Sequence, residues 1–192
     1  MTDHLDSFRI VRQTFTDDLE PIFELEGGRY LIPLLISAAH EEIEAMRTGK
    51  RNRGAVSFAS ALPKAFDGIS RSLFSAVRHG LAHGYGTQLI QTDQGKVGVW
   101  FEWTRTPSPH KIDASHLEGM DCEFRVVLNV RLLMSELNRA FDAIEGEIRD
   151  DPQLWAKYWE NAGRGRQTRA SATENARWSE LLKTDGKSRY YQ

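Results

Sequence analysis

The stretch Ser75-Ala-Val-Arg-His-Gly-Leu-Ala-His-Gly84 decides how the rest of the chain is interpreted, because an amphipathic helical pattern ends within it. Apolar residues precede and enter it at steps of three and four, the spacing of a helix with one buried face. Glycines then favour an end or a bend of the helix. Three polar residues, Arg78, His79 and His83, fall within six positions of one another and form a candidate active site. The apolar residues of the helical pattern are Leu62, Phe66, Ile69, Leu73 and Val77.

The geometry of a regular helix limits how these three side chains can meet. His79 and His83 are four residues apart and would share one face of a continuous helix, whereas Arg78 and His83 would lie about 140° apart. Arg78 and His83 can therefore converge in two ways. Either the helix breaks between them, or a second copy of the chain supplies one of the two.

The segment Arg78-His79-Gly80-Leu81-Ala82-His83 resembles the motif of the HEPN superfamily. In that motif an arginine, often followed directly by Asn, Asp or His, precedes a histidine by four to six residues. A second Arg-x4-His pair runs from Arg105 to His110, but its two prolines argue against a helix. The polar residue after Arg78, the small apolar pair before His83 and the preceding helix favour the first pair.

The resemblance implies a mainly helical, HEPN-like bundle with helices at 30–48, 62–82 and 129–150. Catalytic members of that family are metal-independent endoribonucleases, and the sites of two protomers lie together in a shared cleft. The resemblance therefore predicts an RNA substrate and a homodimer, and neither a cofactor nor a metal. Such proteins are often toxins held by an antitoxin partner, or phage defence effectors.

The chemistry of RNA cleavage suits these residue types. The 2′-OH of RNA can attack the adjacent phosphate once it is deprotonated, and an imidazole with an ordinary pKa near 6.5 suits that transfer at neutral pH. We assign His83 to this step. The forked guanidinium of Arg78 would bind the charged phosphorane oxygens. His79 would orient the substrate or protonate the leaving 5′-oxygen.

Other interpretations of the motif remain open. Arg78 and His83 could simply hydrogen-bond a helix end and nearby carbonyl groups. The protein would then be a non-catalytic nucleotide-binding, RNA-binding or dimerisation module. His79 and His83 could share a metal ion, although the sequence offers no obvious third ligand at helical spacing. No Walker loop, nucleophile elbow or dinucleotide fingerprint occurs.

Composition bounds the class of protein. A length of 192 residues with 40% hydrophobic content predicts one domain over 1–162, followed by a basic tail over 163–192 that holds a short helix. Residues 1–162 carry 18 basic and 24 acidic side chains, against seven and three in the tail. Cys122 is the only cysteine, which excludes an intramolecular disulfide, and we expect it to be buried. The absence of a signal-like start or a long apolar run predicts a cytoplasmic protein without membrane association.

Two groups of charged side chains lie next to and within the helix predicted over 30–48. Lys50, Arg51 and Arg53 form a basic loop. If this loop lies beside Arg78, it would bind RNA phosphates; if not, it is a solvated loop. The acidic cluster within the helix is expected to be a solvated face, with assistance to a histidine as the alternative. This cluster comprises Glu41, Glu42 and Glu44.

After the motif, the spacing of apolar residues changes from the helical period of 3.6 residues to the strand period of two residues. Alternation over 97–103, with short strands on either side, predicts a three-stranded antiparallel β insertion within about 88–128. The loop over 104–121 holds His110 and His116, which we expect to be exposed although they could reach the site. Asn129 is expected to cap a helix up to Asp150, and Asp151-Pro152 to begin another. The aromatic residues of that last helix are expected to pack on the body or a partner, with base stacking as the alternative.

Overall fold

A computed structural model describes residues 4–25, 30–50, 53–84, 87–113 and 122–165, together with Ser171 and Thr173. Over these ranges the chain is mainly helical and carries a small four-stranded sheet between its fifth and sixth helices. The helices are α1 His4–Thr16, α2 Leu19–Glu24, α3 Leu31–Thr48, α4 Gly54–Ala61, α5 Ser70–Gly84, α6 Val130–Asp150 and α7 Gln153–Gly165. The strands are β1 Ile90–Thr92, β2 Gly95–Glu102, β3 Lys111–Asp113 and β4 Phe124–Asn129.

Helix α3 lies at the centre of the helical body and packs against α4, α5, α6 and α7. Ile36 and Ile43 on α3 are completely buried or nearly so, and each such side chain stabilises the fold by about 1.5–3 kcal/mol. Gly49 ends the helix in a left-handed conformation, with φ 73°, and its N–H donates to the carbonyl of Ala45. The helix predicted over 30–48 is confirmed and begins one residue later.

Polar caps begin the two last helices as the sequence predicts. The Asn129 side chain accepts a hydrogen bond from the backbone N–H of Leu132 at 2.9 Å and so caps α6. Asp151 accepts from the N–H of Gln153 at 3.0 Å, immediately before α7. Asp17 and Asp18 separate α1 from α2.

The helix predicted from 62 is wrong at its beginning, because the first three residues of its apolar pattern, Leu62, Phe66 and Ile69, lie between α4 and α5. Leu62 follows α4 in an extended conformation, with ψ 155°, as the residue before a proline prefers. A short 3₁₀ turn, Lys64–Phe66, and a left-handed Gly68 then lead into α5 at Ser70. Helix α4 was not predicted, because the adjacent basic residues were interpreted as a loop.

Helix α5 continues through the motif without interruption. It runs from Ser70 to Gly84, and Gly80 is a buried residue in its interior. A glycine inside a helix costs only about 1 kcal/mol relative to alanine, an amount that packing can offset. Of the two routes by which Arg78 and His83 could meet, a break in the helix is therefore excluded.

The sheet differs from the predicted antiparallel meander. Its strand order is β1-β2-β4-β3, with β1 antiparallel to β2, β2 parallel to β4, and β3 antiparallel to β4. The predicted loop over 104–121 contains the additional strand β3, and this extra reversal of the chain makes β4 parallel to β2. Residues 114–121, including His116, lie outside the described residues.

Cys122 is buried, as expected. None of the helices in the described ranges combines the length and the apolar character needed to cross a lipid bilayer. Of the tail predicted over 163–192, residues 163–165 belong to α7, and the rest, apart from Ser171 and Thr173, lies outside the described residues.

Candidate functional site

An ion pair fixes Arg78 of α5 against α3. Its Nε lies 3.2 Å from Oε2 of Glu41, and the two side chains are 28% and 23% exposed. Nε is itself buried and forms no hydrogen bond to a described residue, so the contact is electrostatic rather than a well-aligned hydrogen bond. The guanidinium is thus held at the junction of two helices while part of the side chain remains accessible.

His79 and His83 lie on either side of Gly80 on the same helix. His79 is exposed. The backbone of His83 is helical, but its side chain lies outside the described residues. Because α5 is continuous, the positions of Arg78 and His83 project about 140° apart around its axis. One copy of the helix therefore does not bring position 83 beside position 78.

The residue that follows the basic loop packs against the ion-pair partner of Arg78. Gly54 begins α4 so close to α3 that a Cβ there would lie 2.8 Å from Cγ of Glu41 and 2.7 Å from Phe74. Arg53, the preceding residue, is exposed, as is Lys50 at the other end of the loop. Arg51 lies outside the described residues. Gly54 thus contacts the partner of Arg78, and the approach of Lys50 and Arg53 to Arg78 stays a prediction.

The acidic cluster of α3 is not a solvated face, contrary to the expectation. Glu42 and Glu44 are 3% and 5% exposed, and Glu41 is half-buried in its pair with Arg78. Burial raises the pKa of Glu44, while the charges of Arg47 and Arg53 partly offset this effect. The expectation was wrong because α4, α5 and α7 cover the faces of α3 that the local pattern leaves polar.

A buried histidine joins α3 to α4 directly beside Glu41. Nδ1 of His40 lies 2.9 Å from Oγ of Ser57, and the imidazole packs edge-on against Phe58. Burial lowers the pKa of His40 to about 3, so the ring is neutral at physiological pH. His40 and Ser57 are each about 1% exposed, so this pair supports the packing of the two helices rather than chemistry on a substrate.

His110 is buried rather than exposed, which corrects the expectation. Its Nδ1 accepts the backbone N–H of Asn129 at 3.0 Å, and its Nε2 lies 3.1 Å from Oε2 of Glu136. With Nδ1 as acceptor, a neutral ring carries its proton on Nε2 and donates it to the carboxylate. Sequence reasoning missed Glu136, because its partner lies 26 residues earlier in a segment without helical periodicity.

The aromatic residues of α7 divide between core and surface. Trp155 and Tyr158 are each 7% exposed, which confirms that they pack on the body. The Tyr158 hydroxyl donates to Glu147 at 2.5 Å. Trp159 is 54% exposed, so only this ring offers a face to a partner or a base.

Comparisons with protein-family models, curated proteins and solved structures gave no match for this chain. The resemblance to the HEPN superfamily stays a prediction from the motif at 78–83. Within the described ranges, no cluster of three or more His, Cys, Asp or Glu side chains is arranged to hold a metal ion.

Proposed function

We propose that the protein is a homodimeric, metal-independent endoribonuclease of the HEPN type, with Arg78 and His83 as its central catalytic groups. The observation that carries the proposal is the position of Arg78. Its guanidinium is anchored by Glu41 yet partly accessible, on the same helix end that carries His79 and His83. An anchored but accessible cation is what the stabilisation of a charged transition state requires.

The proposed reaction needs only groups of the protein and of RNA. His83 removes the proton of the 2′-OH, and the resulting oxygen attacks the adjacent phosphorus. Arg78 stabilises the negative charge that gathers on the equatorial phosphorane oxygens. His79 protonates the 5′-oxygen as its bond to phosphorus breaks. The products are a 2′,3′-cyclic phosphate and a free 5′-hydroxyl.

The proposal requires two copies of the chain. A continuous α5 separates positions 78 and 83 by about 140°, so His83 of one protomer would act with Arg78 of its partner. A two-fold axis between two α5 helices would form two such sites in one cleft. The homodimer thus follows from the mechanism and the unbroken helix together.

The basic loop would bind the flanking phosphates of the RNA. Lys50 and Arg53 are exposed, and Gly54 lies directly against Glu41, which pairs with Arg78. Together with Arg51, these side chains would contribute salt-dependent affinity without reading sequence.

One observation favours a second candidate, a non-catalytic RNA-binding or dimerisation module. The Nε atom of Arg78 is buried against Glu41, as it would be in an ion pair that only joins two helices. In that case Arg78 would stabilise the fold, and RNA would be retained without being cut.

The experiment that separates the two candidates is incubation of the purified protein with total RNA in EDTA. We expect cleavage with 2′,3′-cyclic phosphate ends, lost in the Arg78→Ala and His83→Ala variants. Arg71→Ala is the matched control, since Arg71 is an exposed arginine of the same helix. RNA retention without cleavage by all four proteins would support the binding module.

In the cell, we propose that the enzyme acts in the cytoplasm as a toxin restrained by an antitoxin, or as a phage defence effector. The proposal predicts that induced expression of the wild-type chain arrests growth, whereas the Arg78→Ala chain at equal abundance does not. Equal growth of the two strains would contradict a toxic role.

A further inference from the structure

A second candidate site, a cleft between the end of α3, the α4-to-3₁₀ connection and the middle of α6, lies away from the motif. Its volume is about 680 Å³, within the range of about 300–1,000 Å³ that is typical of small-molecule sites. Its lining includes none of Arg78, His79 and His83. The polar side chains that line it are Arg47, Ser60, Lys64, Glu136 and Arg139.

Cations predominate in this cleft. Arg47 comes from α3, Lys64 from the 3₁₀ turn and Arg139 from α6, so that three elements each supply one positive charge. Glu136 is the one carboxylate among the described lining residues. Its side chain is 2% exposed, whereas that of Arg139 is 64% exposed. The charges that a ligand would meet first are therefore positive.

The buried His110–Glu136 pair positions Arg139 but leaves the N–H groups of its guanidinium available to a ligand. Oε2 of Glu136 faces His110, while Oε1 lies 3.8 Å from the Arg139 guanidinium and forms no hydrogen bond to a described residue. At that separation the carboxylate attracts the guanidinium but does not use its N–H groups. On the opposite wall, Glu147 orients Arg47 through a hydrogen bond of 2.6 Å.

We infer that this cleft binds a small molecule that carries a phosphate group. Glu147 already compensates the charge of Arg47, so Lys64 and the largely exposed Arg139 are the cations that a ligand would neutralise. A phosphate monoester brings nearly two negative charges and three acceptor oxygens, which match these two cations better than the single charge of a carboxylate. The site is independent of the proposed nuclease, since it shares none of the residues named for the reaction.

The test is calorimetric titration of the full-length protein with inorganic phosphate and with inorganic pyrophosphate at constant ionic strength. We expect saturable binding of both, weakened at least about tenfold in a Lys64→Gln/Arg139→Gln variant, because each charge-assisted hydrogen bond contributes strongly to affinity. Arg149→Gln is the matched control, since Arg149 is an arginine of α6 with 63% exposure and lies outside the cleft. It should leave the affinity unchanged.

Four results would overturn the inference. The first is an absence of saturable binding, and the second is equal affinity of the wild type and the double variant. The third is displacement of pyrophosphate by a short RNA that depends on Arg139, which would make the cleft part of an RNA path. Succinate serves as the dicarboxylate comparison, and succinate binding as tight as that of pyrophosphate would also exclude phosphate selectivity.

Discussion

Arg78 on α5 and Glu41 on α3 form an ion pair in which Nε lies 3.2 Å from Oε2. The pair joins the helix that carries the proposed catalytic groups to the central helix of the fold. It also brings Arg78 next to the beginning of α4, because Gly54 packs directly against Glu41. The accessibility and position of Arg78 therefore depend on three consecutive helices, α3, α4 and α5.

Replacement of Arg78 should abolish RNA cleavage but change the stability of the fold only slightly. We expect Arg78→Ala to abolish RNA cleavage while lowering the free energy of unfolding by about 1 kcal/mol or less, as for other partly exposed ion pairs. Cleavage is measured by gel electrophoresis and unfolding in urea. Arg71→Ala should retain both properties. Full activity of the Arg78→Ala variant would remove Arg78 from the reaction.

The contact at Gly54 predicts a packing defect when a methyl group is added. A Cβ there would lie 2.7 Å from Phe74 and 3.0 Å from the backbone nitrogen of Glu41, so Gly54→Ala should destabilise the fold by about 1–3 kcal/mol. Gly146 in α6 provides the matched control, because a Cβ there meets no atom within 4 Å. Gly146→Ala should stabilise the fold by about 0.5–1 kcal/mol. Urea denaturation that shows the two changes to be equal would argue against the close approach of α4 to α3.

The buried His40 predicts a loss of stability in mild acid. Its folded pKa of about 3 lies below the ordinary value near 6.5, so in this interval the unfolded chain binds a proton that the folded chain does not. Stability should therefore fall as the pH falls through 6.5, by about 2 kcal/mol between pH 7.5 and pH 5 from this residue. We expect His40→Asn to unfold with a flatter pH dependence over that range. Parallel curves for the two proteins would show that His40 is not buried as a neutral ring.

Much of the fold could be predicted from local patterns, and two of the failures share one cause. The helix over 30–48 and the Asn129 cap depend on residues that are close in sequence, so spacing alone locates them. The parallel pairing of β2 with β4 and the burial of His110 depend on contacts between distant segments. Such contacts produce no periodic pattern in the local sequence.

The same limit applies to the candidate site. The motif at 78–83 can be recognised in the sequence because its residues are close together. The ion pair of Arg78 with Glu41 cannot, because it spans 37 positions and joins two helices. Glu41 was noted in the sequence as part of an acidic cluster without a specific partner. Lys64 and Arg139 carry no motif at all, so the second cleft could be found only from the packed structure.

The His110–Glu136 pair predicts strong energetic coupling. His110→Ala would leave a buried carboxylate without its hydrogen-bond donor, at a cost of about 3–5 kcal/mol. The His110→Ala/Glu136→Ala double variant should be less destabilised than the sum of the two single variants, because the uncompensated charge is then absent. Urea denaturation of the four proteins measures this coupling. Additive effects would mean that the two side chains do not interact.

Mixing two inactive variants tests the central claim most directly. Arg78→Ala and His83→Ala proteins, each purified alone, should both fail to cut RNA. If each site takes Arg78 from one protomer and His83 from the other, mixed dimers contain one intact site, and random exchange should restore about a quarter of the wild-type cleavage. Cleavage restored to this extent in EDTA is the result that the account predicts. A mixture that remains inactive after confirmed subunit exchange, beside an active wild type, would contradict it.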